Sequence, residues 1–156
     1  FVGQPGRVGC IFTNGCFDIL HRGHIELFKF CRAQREYSPL VVGVNSDKSI
    51  RKLKGPQRPI MPEEDRVSML SAIKYIDFVV IFDTKSVLPV IKETKPSFLI
   101  KGGIYSTKPC AVADQIVGQE FVESYGGKAL TAPMEEDVSS TNRIERIKRV
   151  NTSSPL

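Results

Sequence analysis

Short, near-continuous apolar runs alternate along the chain with stretches whose apolar positions recur every three or four residues. The runs are VGCIFT (Val8–Thr13), LVVGVN (Leu40–Asn45), DFVVIF (Asp77–Phe82), SFLIK (Ser97–Lys101) and KALTA (Lys128–Ala132). Apolar on successive positions, they predict strands buried on both faces. Between them, HIELFKFCRAQR places Ile25, Leu27, Phe28 and Cys31 at helical spacing. PEEDRVSMLSAI opens on Pro62 with acids behind it, which suits a helix start. SVLPVIKETK predicts a helix that tolerates Pro89 in its first turn. VGQEFVESYGG predicts one stopped by glycine, and SSTNRIERIKRV a basic closing helix with a Ser/Thr start.

Strand–helix alternation of this kind predicts an α/β fold: a Rossmann-like, doubly wound, parallel five-stranded sheet with helices on both faces. One domain over residues 1–150 is expected, with 151–156 as a disordered tail. Ligands of such sheets bind at the carboxyl ends of the strands. Four segments fall there: Thr13–His24, Asn45–Pro59, Lys101–Tyr105 and Pro133–Thr141.

Composition narrows the partners. The net charge is +5 over 156 residues, which favours anionic ligands such as phosphorylated small molecules or nucleic acid. No apolar run is long enough to span a bilayer and no secretion pattern opens the chain, so a cytoplasmic protein without membrane association is expected. Cys10, Cys16, Cys31 and Cys110 form no C-x-x-C pair and are expected as reduced thiols.

The only two histidines, His21 and His24, lie around Gly23 at the entry to the first predicted helix. Three-residue spacing puts both rings on one face of a turn. The helix start adds free N–H groups and a positive dipole end, so the combination suits a phosphate. Taken alone, the pair also allows surface capping histidines or half a zinc site, although no other Cys or His has matching spacing.

SIRKLKGPQRP crowds Arg51, Lys52, Lys54 and Arg58 into what reads as a loop, kept from helix by Gly55, Pro56 and Pro59, and suits a polyphosphate. IKGG places Lys101 at a strand end, followed by Gly102 and Gly103, which allow close approach of a ligand. Ser139, Ser140 and Thr141 offer hydroxyls and N–H groups at a helix start. Each segment alone also reads as a solvated basic loop, a turn or a plain cap, but all of them fall on one sheet edge. There is no P-loop, no G-x-G-x-x-G and no Ser–His–Asp or Cys–His order.

GCFDILHRGH resembles the H-x-G-H signature of the small nucleotidylyltransferases, which join a nucleoside triphosphate to a phosphorylated alcohol and release pyrophosphate. VNSDKSIRKLKGPQRPI, EEDR, IKGGIY, EFVESYGG and VSSTNRIERI extend the likeness from Val8 to Val150. They resemble the adenylyltransferase domain of bacterial ADP-heptose synthases. The resemblance implies transfer of AMP from ATP to a sugar 1-phosphate, a heptose 1-phosphate above all, by direct in-line displacement.

It implies catalytic roles for His21, His24 and Lys54, and nucleotide contacts from Thr13, Gly15, Phe17, Asp18, Lys52, Arg66, Ser139, Ser140 and Thr141. Asp18 would also brace the first loop. Lys101, Gly102, Gly103 and Ile104 would meet the acceptor. Mg2+ would be carried mainly by the triphosphate, with no protein metal site. A homodimer is expected, and a sugar kinase that is either a separate protein or a domain preceding Phe1.

The heptose branch carries Asp after KGG, where this chain has Ile104, and the segment Ser106–Gln115 is longer than that branch usually has. Two alternatives stand beside this reading: a cytidylyltransferase acting on a polyol phosphate such as glycerol 3-phosphate, and a non-catalytic nucleic-acid module using Arg143, Arg146, Lys148 and Arg149. The absence of Trp and of aromatics interleaved with those charges speaks against the second, so no nucleic-acid partner is expected.

Overall fold

The strand that ends before the two histidines is the centre of the sheet. The computed structural model describes residues 9–104, 116–134 and 140–152. In chain order the elements are β1 (Ile11–Gly15), α1 (Arg22–Gln34), β2 (Leu40–Asn45), α2 (Asp47–Lys54), α3 (Glu63–Ser71) and β3 (Phe78–Phe82). They continue with α4 (Leu88–Thr94), β4 (Phe98–Ile104), α5 (Gln119–Ser124), β5 (Lys128–Met134) and α6 (Ser140–Thr152). The five strands form one parallel sheet in the order β3-β2-β1-β4-β5.

Successive side chains along a strand point to opposite sides, and the inner strands are covered on both; edge strand β3, expected to be buried on both faces, instead leaves Phe78, Val80 and Ile81 exposed because it has a neighbour on one side only. Ile11, Val42, Val44 and Ile100 meet Leu27, Phe28 and Cys31 of α1 and Leu70 of α3 in one fully buried cluster. Phe12, Val41 and Leu99 meet Val87, Ile91 of α4 and Val122 of α5 in another. The expected doubly wound fold is therefore the fold observed. Gly43 in β2 belongs to the second face: a side chain there would come within 2.8 Å of the Phe12 ring and 3.3 Å of Phe82.

Three details differ from expectation. Arg51, Lys52 and Lys54 lie on α2, not in a loop. Ser46 caps that helix by accepting the Ser49 N–H, Asp47 sits in its first turn, and the cations sit in its last, where the dipole favours them. Glycine and proline act only afterwards: Gly55, at φ +96°, donates its N–H to the Arg51 carbonyl and stops the helix. Second, the glycines of IKGG are inside β4, which runs on to Ile104, paired with β5 throughout. Third, α6 extends to Thr152, so the first two residues assigned to the tail are helical.

β1 pairs with β2 over its whole length but with β4 only at Ile11–Phe98 and Phe12–Leu99. Beyond Phe12 the two strands part. Because the chain winds outward in opposite directions from β1, this parting opens a crevice at the topological switch point of the sheet.

Candidate active site

The crevice begins at Thr13, whose buried Oγ1 has no hydrogen-bond partner among the described residues, an unusual state for a buried hydroxyl. Asn14 follows, with its carbonyl accepting from Lys101 Nζ of β4 across the gap at 3.4 Å. Gly15 ends β1, and any side chain there would reach within 3.1 Å of the Phe17 ring. Phe17 has φ +48°, a left-handed conformation rare for a bulky residue. That turn carries its ring over the start of α1, edge-on to His24 (centroids 5.1 Å) and against Phe28 (5.6 Å).

His21 is the N-cap of α1 and His24 lies in its first turn. Their rings stack with centroids 3.7 Å apart and planes 24° apart. The His21 backbone N–H donates to His24 Nδ1 at 3.3 Å. A ring that accepts at Nδ1 carries its proton on Nε2, so His24 is a neutral imidazole that donates from Nε2. Its titration agrees. Burial first, then the His21 ring and the Arg143 guanidinium, lower its pKa from 6.5 to about 3. Burial, then Arg143, lowers that of His21 as well.

Arg143, on the first turns of α6, was grouped in the sequence with a C-terminal basic patch. Its field on both imidazoles instead brings α6 to the histidine end of the crevice. Ser140 begins α6 and Thr141 is exposed on its first turn. Ser139 lies outside the described residues, as does Cys110; Cys10, Cys16 and Cys31 are free thiols.

Lys101 keeps solvent contact, yet burial of its ammonium lowers its pKa. The Cys16 thiol opposes that shift and the like charge of Lys54 adds to it. The Lys54 ammonium, at the end of α2, is thus near enough to be felt by Lys101. Two residues along a helix subtend roughly 200°. Lys52 accordingly lies on another face of α2, and its charge helps, behind Ser46 and Lys48, to lower the pKa of Asp83. Gly102 and Gly103 pair with Ala132 and Pro133 of β5. A side chain on Gly103 would come within 2.7 Å of the Thr131 methyl, so this glycine also makes room for the neighbouring strand. Ile104 ends β4.

Two charged residues assigned to the nucleotide are used internally. Asp18 is 2% exposed, and its carboxylate accepts from Arg58 Nε (2.6 Å) and the N–H groups of Ile60 (2.8 Å) and Met61 (2.9 Å). It braces the first loop, with both carboxylate oxygens engaged inside the protein. Arg66 is fully buried. Nη1 donates to the carbonyls of Cys16 (2.6 Å) and Asn45 (2.8 Å), Nη2 to Asp47 Oδ1 (2.7 Å) and Nε to the Met61 carbonyl (3.0 Å). The expected phosphate contact of Arg66 is thus corrected. The sequence displayed its charge, while its burial follows from α3 packing the residue beneath the strand ends.

Among the described residues no three His, Cys, Asp or Glu gather as a metal cage, and no helix is long and apolar enough to cross a membrane.

The sequence profile described as cytidylyltransferase-like matches residues 12–146. The chain is 47% identical over 138 residues to the bifunctional protein HldE of Alcanivorax borkumensis, covering 88% of this chain and 27% of the relative. It is 44% identical over 137 residues to HldE of Syntrophotalea carbinolica, covering 88% and 26%. The chain thus spans about a quarter of the curated relatives it matches. Among solved structures, the lipopolysaccharide core biosynthesis protein of Thermoplasma volcanium superposes with a TM-score of 0.64 at 24% identity, over 82% of this chain and 98% of that one. A macrolide-efflux protein of Streptococcus pneumoniae gives 0.59 at 21%, over 90% and 51%. At these identities the two structures speak to the fold.

Proposed function

The chain belongs to the cytidylyltransferase-like family, and from that premise we propose that it transfers AMP from ATP to a sugar 1-phosphate, a heptose 1-phosphate above all, with release of pyrophosphate. The observation that carries the reading is the neutral imidazole of His24, fixed at a helix start beside the switch-point crevice with Nε2–H as its donor. A phosphate oxygen of the acceptor attacks the α-phosphorus in line. The bond from that phosphorus to the bridging oxygen breaks, and its electron pair leaves on pyrophosphate. No covalent enzyme intermediate is needed, so catalysis is positioning and charge stabilisation.

His24 donates to oxygens on which negative charge grows, and His21 fixes its tautomer and stacks on it. The N–H groups of α6 and Arg143 favour the triphosphate from one side, Lys54 and Lys101 from the other. The residues around the crevice are cations and hydrogen-bond donors, which fit Mg2+ held by the triphosphate rather than by a protein cage. The ion would neutralise charge on the phosphates it accompanies. We place the enzyme in the cytoplasm, with a sugar kinase supplying the acceptor. A homodimer is favoured by edge strand β3, where Val80 and Ile81 are exposed beside unpaired backbone groups that a second copy would cover.

The test crosses the four nucleoside triphosphates with a panel of phosphorylated sugars and polyols and follows pyrophosphate. ATP with heptose 1-phosphate should lead, and only with magnesium present. Preference for CTP and glycerol 3-phosphate would reassign the branch. Silence across the whole panel, from folded protein, would remove the enzymatic reading.

A further inference from the structure

Arg66 and Asp18 lie beneath the crevice and grip the same residue, Met61, from its two sides. The Met61 N–H donates to Asp18 and the Met61 carbonyl accepts from Arg66 Nε. Through these bonds a cation on α3 holds the loop after β1, and an anion in that loop holds the segment after α2. Arg66 also ties down Asn45, the last residue of β2, and Asp47, the first of α2. The carbonyl it takes from Cys16 immediately precedes Phe17, the residue in the left-handed conformation. The Phe17 ring then meets the edge of His24. Three chain segments that arrive separately at the strand ends are thus joined by one ionic layer, shielded from water.

We propose that Arg66 is a positioning residue for nucleotidyl transfer, acting with Asp18 as a single latch that sets the conformation of Phe17 and, through it, the ring of His24. The proposal rests on the function assigned above. Arginine is required for its shape: a planar fork serves four acceptors lying in different directions, which a lysine ammonium on the same stem cannot reproduce. Arg66 touches no reacting atom. Its effect on rate passes through the placement of His24.

The experiment uses Arg66→Lys, Asp18→Asn and the double variant, all in the full chain and below their melting temperatures. With ATP and heptose 1-phosphate, each single change should lower kcat about ten- to hundredfold, the scale of a misplaced catalytic group. KM for ATP should stay within about threefold, and the double variant should be no worse than the worse single one, as members of one unit behave. The 15N resonances of His24 should move in both single variants.

Unchanged kcat and unmoved His24 resonances in folded Arg66→Lys would make the residue a stability element only and overturn the proposal. A rise in KM for ATP with kcat and His24 unmoved would make it a phosphate ligand and overturn it equally. Should the variants fail to fold, the wild-type chain decides. On titration with ATP the Arg66 Nε resonance should stay in place, and movement comparable to that of Lys54 would refute the latch. The resonances report on the latch without turnover, so an inactive wild type would discard the assigned function and leave this question answerable.

Discussion

Replacing His24 by Gln should remove a defined share of the protein's acid sensitivity. The native ring is held neutral, with a pKa near 3, whereas the unfolded ring titrates at its ordinary 6.5. Below 6.5 the unfolded state therefore binds a proton that the native state refuses. Stability is fully present above 6.5, falls by about 1.4 kcal/mol for each pH unit towards 3, and is flat below that. Between about pH 8 and pH 5 His24 alone accounts for a loss of about 2 kcal/mol. The figure depends only on the unfolded ring, because the native one is already neutral at pH 5. Against a total stability of roughly 5–15 kcal/mol this is readily measured.

Urea denaturation of both proteins across that range isolates the effect. His21 and the carboxylates titrate in each, and the difference between their pH profiles belongs to His24. The profile of His24→Gln should be shallower by about 2 kcal/mol, whatever its absolute stability. Identical profiles would mean that native His24 takes up its proton near 6.5. The ring would then be a cation through much of the working range, and the neutral Nε2–H donor would be refuted. The same reasoning expects kcat to show no inflection from His24 between pH 6 and 8, the window around the free imidazole value.

Lys54→Ala should raise KM for ATP roughly ten- to hundredfold, the worth of a charge-assisted contact, while Lys52→Ala stays within about threefold; steady-state kinetics would reject the placement of α2 if the order were reversed. Phe28→Ala, which empties a fully buried position against Phe17, should cost about 3–5 kcal/mol in urea denaturation, and a cost near zero would mean that the first core cluster is not packed as described. Ile104→Asp should alter the relative kcat/KM values for different sugar phosphates, because a carboxylate there would accept from sugar hydroxyls; an unchanged ranking would show that position 104 does not read the acceptor.

The strands were legible because a sheet covered on both faces demands continuous apolar runs, and LVVGVN is buried along its whole length. The histidine pair was legible for a different reason, being a rare residue type at a helix entry. What the chain hid was direction and burial. Gly55, Pro56 and Pro59 coloured the reading of SIRKLK, although punctuation after a helix leaves the helix intact. EEDR displayed a charge, and nothing local in it says that the guanidinium turns inward to three carbonyls contributed by residues 16, 45 and 61. Gly103 looked like room for a ligand, yet its neighbour Thr131 belongs to a strand 28 residues on. Such facts are tertiary, and a one-dimensional pattern cannot carry them.

The strand order also dictates a schedule for folding. Ile11 pairs with Leu40 on one side and with Phe98 on the other, so β1 acquires its second neighbour only across a much longer loop. Loop-closure entropy makes such a contact late and slow. The segment from β1 to β3 already contains both histidines and the ionic layer beneath them, while Lys101 and α6 arrive with the other half. The crevice lies on the seam between the halves and exists only once they dock. On refolding from denaturant, helical signal should return ahead of ATP binding, since affinity is a property of the seam and not of either half.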